Sequence, residues 1–258
     1  TSFTSNYYGG GIYNVGGVAQ FHNLWIKNNA ASYGGGLYQS GKAQFSSIIF
    51  SNNTAKGKSP RGAAVYNAGG FTLENATFEA NEIIETTSYP GYGAAIFNAA
   101  ELNLKHIIFK SNKILNGQGA GIYSASSAVV KLQNATFSDQ QATSGAALFL
   151  ANGTAEIADV EFKNNKAITT AGAISTAATT NLNRVSFIEN TSQQHGAAVW
   201  NSGAIRIDNT IFSRNTVTGT GAYYGGAMFV SGGTSFITNT SFSKNTIGYV
   251  NTSATLSY

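Results

Sequence analysis

One unit recurs along the whole chain, and it limits the possible folds more than any other feature. Half of the unit is an aromatic residue with asparagine three positions later: Phe50 with Asn53, Phe78 with Asn81, Phe109 with Asn112, Phe162 with Asn165, Phe187 with Asn190, Phe212 with Asn215 and Phe242 with Asn245. Ile26 with Asn29 and Phe137 with Gln140 are degenerate copies. The other half is a small pair, an aliphatic and usually an aromatic, as in Gly35-Gly36-Leu37-Tyr38, Ala63-Ala64-Val65-Tyr66 and Ala197-Ala198-Val199-Trp200. Gly172-Ala173-Ile174-Ser175 keeps the aliphatic and loses the ring. The two halves alternate, and successive units are 24 to 31 residues apart, with 25 three times running.

A period of this size suits a leucine-rich repeat, a β-helix or a helical solenoid. Helical solenoids need charged, glycine-poor amphipathic faces, whereas only 10% of this chain is charged and it holds 30 glycines. The several leucines per unit of the leucine-rich pattern are absent. Apolar residues instead alternate with period two, as at Phe71, Leu73, Ala76 and Phe78, which is the strand signature. That alternation slips by one residue before the final pair, at Asn75, Asn134 or Asn209. Such a slip reverses faces unless a corner intervenes, and asparagine tolerates the left-handed geometry of a corner. Each unit therefore reads as three short strands and three corners. The chain is predicted to be all-β, one right-handed parallel β-helix of about nine coils spanning 1–258 as a single domain.

Stacked coils put equivalent residues about 4.8 Å apart. The Phe column is then an internal stack, and the Asn column an amide ladder at a corner. The expected role of both is architectural. The second aromatic column, Tyr13, Tyr38, Tyr66, Phe97, Tyr123, Phe149, Trp200 and Phe229, has the opposite parity to its aliphatic neighbours. If the aliphatics point inward, these rings form an external ribbon that calls for a partner.

Added length falls mostly after the ladder Asn, at 54–61, 82–92 and 216–224. Insertions at one register project from one edge of a solenoid, often the binding edge. Seven of the 13 tyrosines lie there or at the matching N-terminal position: Tyr7, Tyr8, Tyr33, Tyr89, Tyr92, Tyr223 and Tyr224. They form the candidate interaction edge, since tyrosine joins a rigid apolar face to a polar tip.

Catalytic and metal-binding clusters are hard to assemble. Of 11 acidic residues only Asp139, Asp159 and Asp208 are aspartates. A glycosidase needs two carboxylates across a groove, and calcium needs several converging oxygens. Glu156, Asp159 and Glu161 cluster in one coil, but Asp159 aligns with Arg184 and Glu156 with Lys131, so charge pairing accounts for part of the group. His22, His106 and His195 fall in different columns. The column before Phe (Ile49, Thr77, Ile108, Thr136, Glu161, Ser186, Ile211, Ser241) is too irregular for an ice-binding hydroxyl lattice. The seven sequons, at Asn52, Asn75, Asn134, Asn152, Asn190, Asn239 and Asn251, are unsurprising in a chain so rich in Asn, Ser and Thr. No cysteine is present for disulfides or thiolate metal sites, and no cofactor is expected. Scattered Lys and Arg give no nucleic-acid stripe despite a net charge of +4. No apolar run is long enough to span a membrane.

The pairing of Gly225-Gly226-Ala227-Met228 with Phe242 and Asn245, echoed through all nine coils, resembles the repeat of the chlamydial polymorphic outer membrane proteins. That resemblance implies a secreted β-helical passenger that is adhesive and oligomerises. The chain departs from the family in lacking a C-terminal barrel and any cysteine. Repeats begin near residue 1 without a signal-peptide core and run almost to Tyr258, which reads as a mature protein or a fragment with little sequence for caps. The expectation is a non-enzymatic extracellular or cell-surface β-helix, leaning to a subunit that associates end to end or laterally into filaments. A monomeric adhesin with a glycan or cell-surface ligand comes second, and a polysaccharide-active enzyme third.

Overall fold

The computed structural model describes residues 7–16, 18–85 and 89–248. Each repeat closes one coil, and each coil gives one stretch to each of three parallel sheets. In the second coil these are Leu37–Gln39, Lys42–Ser51 and Thr54–Gly57. Nine coils stack in this way among the described residues, as a right-handed β-helix. The registers pair like with like: Leu37 with Val65, Phe50 with Phe78, and Thr54 with Glu82.

The long strands bend in the middle, where the alternation slips. All nine residues of that column, Asn23, Ser47, Asn75, His106, Asn134, Asp159, Arg184, Asn209 and Asn239, have φ between 48° and 57°. The sheet pairing skips them, running from Lys105–Gln133 straight to Ile107–Ala135. In the last two coils the bend divides the strand, into Ile205–Asp208 and Ile211–Ser213 and then Ser235–Thr238 and Ser241–Ser243. A second left-handed column precedes the ladder Asn, from Asn28 and Asn52 to Arg214 and Lys244. A third precedes the small pair and is glycine in eight coils and Ala171 in the seventh. A turn after the first strand, at Ala68-Gly69 in the third coil, makes four changes of direction per coil instead of three. It was hidden because the turn residues carry no repeated side chain.

The core is a column of phenylalanines. Phe50, Phe78, Phe109, Phe137, Phe162, Phe187 and Phe212 are fully buried. From Phe50 to Phe242 the rings stack with centroids 4.3–5.1 Å apart and planes within 18°. Opposite them the aliphatics of the first sheet, Leu37, Val65, Ile96, Ile122, Leu148, Ile174 and Val199, also point inward and are fully buried. The small pairs are small because the next coil leaves no room. A Cβ on Gly36 would sit 2.7 Å from the carbonyl oxygen of Ala64.

The asparagine ladder satisfies the corner. The main-chain N–H of Asn81 donates to Asn112 Oδ1 (3.0 Å), and its Nδ2 donates to Asn112 Oδ1 (2.9 Å) and to the carbonyl of Phe50 (3.0 Å). Asn53, Asn165, Asn190 and Asn215 repeat all three bonds. Each amide thus pairs buried groups that would each cost about 1–3 kcal/mol if left alone. Gln140 keeps the rung incompletely. It accepts from Asn112 Nδ2 (3.0 Å), but its own Nε2 turns back to the Ser138 carbonyl (2.6 Å). A second amide column lies beside the turn after the first sheet. Asn14 donates to Gln39 (2.7 Å) and Asn67 to Asn98 (2.7 Å), and the column lapses at Ser124 and Leu150.

Candidate functional site

With the aliphatics of the first sheet turned inward, the alternate residues face out. Tyr13, Tyr38, Tyr66, Phe97, Tyr123 and Phe149 form an axial stack on the outer surface, with centroids 4.8–5.5 Å apart and planes within 25°. Tyr13 is 59% exposed, whereas Phe97 is covered, at 4%. Ser175 interrupts the column, and Trp200 and Phe229 resume it.

A second column runs beside the first, one residue before the left-handed position that precedes each small pair. Backbone bridges join Tyr8 to Tyr33, Tyr33 to Arg61 and Arg61 to Tyr92. Each member leans on the outer ring of the following coil: Tyr8 on Tyr38 (5.1 Å), Tyr33 on Tyr66 (5.6 Å), Arg61 on Phe97 (4.9 Å) and Tyr92 on Tyr123 (4.7 Å). The pattern returns in the last coils, where His195 stacks on Phe229 (4.9 Å) and Tyr224 (5.3 Å), with Tyr223 edge-on at 5.4 Å. His195 Nδ1 also accepts the main-chain N–H of Tyr224 (3.1 Å).

The candidate tyrosines thus fall into one face with two ends. Tyr8, Tyr33 and Tyr92 share its first end and Tyr223 and Tyr224 its last. Tyr7 adjoins the first through its carbonyl, which accepts from the N–H groups of Ser32 and Tyr33. Tyr89 stands in the longest insertion, with Lys58 Nζ 4.9 Å above its ring. Burial raises the phenol pKa of Tyr33, Tyr38 and Tyr123, and at Tyr33 the charge of Arg61 pulls the other way. Arg61 and His195 were not recognisable as members from ring type. The signal that places them is position, since Arg61-Gly62-Ala63-Ala64 aligns with Tyr33-Gly34-Gly35-Gly36.

The carboxylates run along the coils as rungs. Glu74 faces Lys105 (3.9 Å), Glu79 Lys110 (3.3 Å), Glu82 Lys113 (3.3 Å), Glu101 Lys131 (3.9 Å), and Glu189 Arg214 (2.8 Å). Asp159 and Arg184 meet in a two-pronged pair at 2.6 and 2.7 Å, as their alignment suggested. The hydrogen bonds from Arg184 hold the Asp159 carboxyl below its ordinary range, and those from Thr238 and Asn239 do the same for Asp208. Glu156 does lie in register with Lys131, but Lys131 Nζ is directed to Glu101 on the other side, so that expected pair is not made. The outer face of the long sheet holds a shallow groove of about 430 Å³, lined by Thr72, Glu74, Asn103, Lys105, Lys131 and Glu156 among others.

His22, His106 and His195 stand in separate columns, and no group of acidic, histidine or cysteine residues suited to a metal ion occurs among the described residues. The sequons at Asn75, Asn134 and Asn239 occupy exposed bends, whereas Asn190 is a fully buried ladder rung. Asn251 lies outside the described residues. Among those residues no helix is long and apolar enough to cross a membrane.

No curated protein and no solved structure matches the chain. The family model described as right handed beta helix region matches residues 2–191. With coils, ladder and core already in that arrangement, the chain belongs to the right-handed β-helix family.

Proposed function

We propose that the protein is a non-enzymatic structural and adhesive β-helix of the extracellular space or cell surface, a subunit that associates with copies of itself into filaments. The observation that carries this reading is the outward aromatic face of the first sheet. Tyr13, Tyr38, Tyr66, Phe97, Tyr123 and Phe149 stack along the outer surface with centroids 4.8–5.5 Å apart. Rings with polar tips are enriched where proteins meet partners, and a rod that repeats such a face from coil to coil can meet a copy of itself side by side.

Two further observations favour the reading over catalysis. Most carboxylates are engaged by the neighbouring coil, and the regular columns are occupied by scaffold. The likeness to the chlamydial polymorphic outer membrane protein repeat points the same way, toward a secreted, adhesive passenger. Because the fold serves enzymes as well as non-enzymes, turnover on acidic polysaccharides would replace this proposal with the enzymatic one.

Sedimentation and electron microscopy over a concentration series test assembly. Mass that grows with concentration is expected, together with loss of assembly in a Tyr38→Ser, Tyr66→Ser variant that keeps its β circular dichroism. A chain that stays monomeric throughout would sink the filament reading and leave the monomeric adhesin, which the same aromatic face would also serve.

A further inference from the structure

Three of the 15 basic residues fall within six positions of one insertion: Lys56, Lys58 and Arg61. Arg61 takes the place of a ring in the second column. Its guanidinium carbon lies 4.9 Å from the centroid of Phe97, 5.8 Å from Tyr92 and 5.9 Å from Tyr33. Attraction between the cation and the ring faces holds it there. Its Nε is buried without a hydrogen-bond partner, and no described carboxylate pairs with it. The side chain as a whole is half-buried. Lys58 repeats the arrangement on Tyr89. Of the two carboxylates of the adjoining strand, Glu82 is already held by Lys113 at 3.3 Å.

We propose that this cationic and aromatic patch, centred on Arg61 and Lys58, binds an anionic polysaccharide through its sulfate or carboxylate groups. A guanidinium presents a planar fork that matches two oxygens of such a group, and charge-assisted bonds of this kind are roughly twice as strong as neutral ones. The rings around Arg61 fix the fork in advance, which lowers the ordering cost of binding. Tyr33 and Tyr92 add hydroxyls beside the fork.

The ring geometry selects against a neutral glycan. Rings of the first column stack face to face, so those faces are occupied, and Tyr8, Tyr33 and Tyr92 meet them tilted or edge-on. A sugar laid along the first column meets the edges of stacked rings rather than their faces. Nucleic acid is disfavoured because the charge forms one patch rather than a stripe. The patch spans the second to fourth coils, beside the outward column of rings.

The test is retention of the whole chain, at physiological ionic strength, on heparin (sulfate and carboxylate), hyaluronan (carboxylate alone), dextran (neither) and duplex DNA. Retention on heparin or hyaluronan, released by salt, is expected. Lys58→Gln should weaken it several-fold, and Arg61→Lys on the order of tenfold, because lysine keeps the charge and loses the fork. Arg61→Gln with Lys58→Gln should abolish it, while Lys163→Gln with Lys166→Gln, on a different part of the rod, should leave it unchanged. Near-ultraviolet circular dichroism of the tyrosines checks that each variant keeps the aromatic face, and Lys58→Gln carries the test if the Arg61 variants lose it. Four results would overturn the proposal: failure of both acidic glycans to bind, equal binding to dextran, equal binding to DNA, or variants at Lys58 and Arg61 that bind like the unaltered chain.

Discussion

Two aromatic columns run the length of this rod, one inward from the long strands and one outward from the first sheet, and they obey different rules. The inner column repeats Phe in eight of nine coils and buries it completely from Phe50 to Phe212. The outer column has almost the same ring spacing, yet it reads Tyr, Tyr, Tyr, Phe, Tyr, Phe, Ser, Trp, Phe. A buried ring must fit between two neighbours at interior packing density, so one size serves every coil. An outward ring is bounded on one side by water, and that position accepts any residue the surface can use. Uniformity marks the scaffold, and variation marks the face proposed for binding.

Paired truncations test that contrast most strongly. Phe137→Ala removes a ring stacked on both sides in the core and is expected to cost about 3–5 kcal/mol, read from a denaturant midpoint. Tyr66→Ala, at a half-exposed outer position, should cost roughly 1–2 kcal/mol from partial burial and lost stacking. Equal losses would break the distinction. A smaller change sharpens it. Gln140→Asn restores the regular rung beside Phe137 and should gain about 0.5–1.5 kcal/mol. A loss would mean that the surrounding coil has adapted to the longer amide.

The smallest effect lies at alkaline pH. Burial raises the folded-state pKa of Tyr33, Tyr38 and Tyr123, so the folded chain holds these protons after the unfolded chain begins to lose them. Their contribution is complete below the ordinary phenol range near ~10 and is lost as pH rises through it. Absorbance titration should resolve a late-ionising group of phenols, and Arg61→Gln should delay Tyr33 further. Phenols that all titrate together would show an outer face as wet as free tyrosine.

Much of this architecture was legible because solenoid coils repeat their constraints. The left-handed bend could be aligned in all nine coils from the slip in alternation, even where His106, Asp159 or Arg184 replaces asparagine. The Asn ladder was equally clear, since its three hydrogen bonds tolerate few substitutes. The second amide column escaped notice because Asn14, Gln39, Asn67 and Asn98 give way to Ser124, Leu150 and Thr176. Arg61 was missed at the outer face for a related reason. A search for rings passes over a guanidinium, although both are planar and stack alike.

The three consecutive 25-residue intervals, from Phe137 to Phe212, make the coil a replaceable part. Cutting the chain after Phe162 and rejoining it at Ile188 sets each column back onto itself, because Ile188 already occupies the position of Lys163 in the ladder. The shortened rod would have one layer fewer and the same two end surfaces, with stability reduced by one coil and its interfaces. Length is then a quantity that descendants of this sequence can change in whole steps by duplication or deletion, leaving the outward aromatic face to diverge on its own.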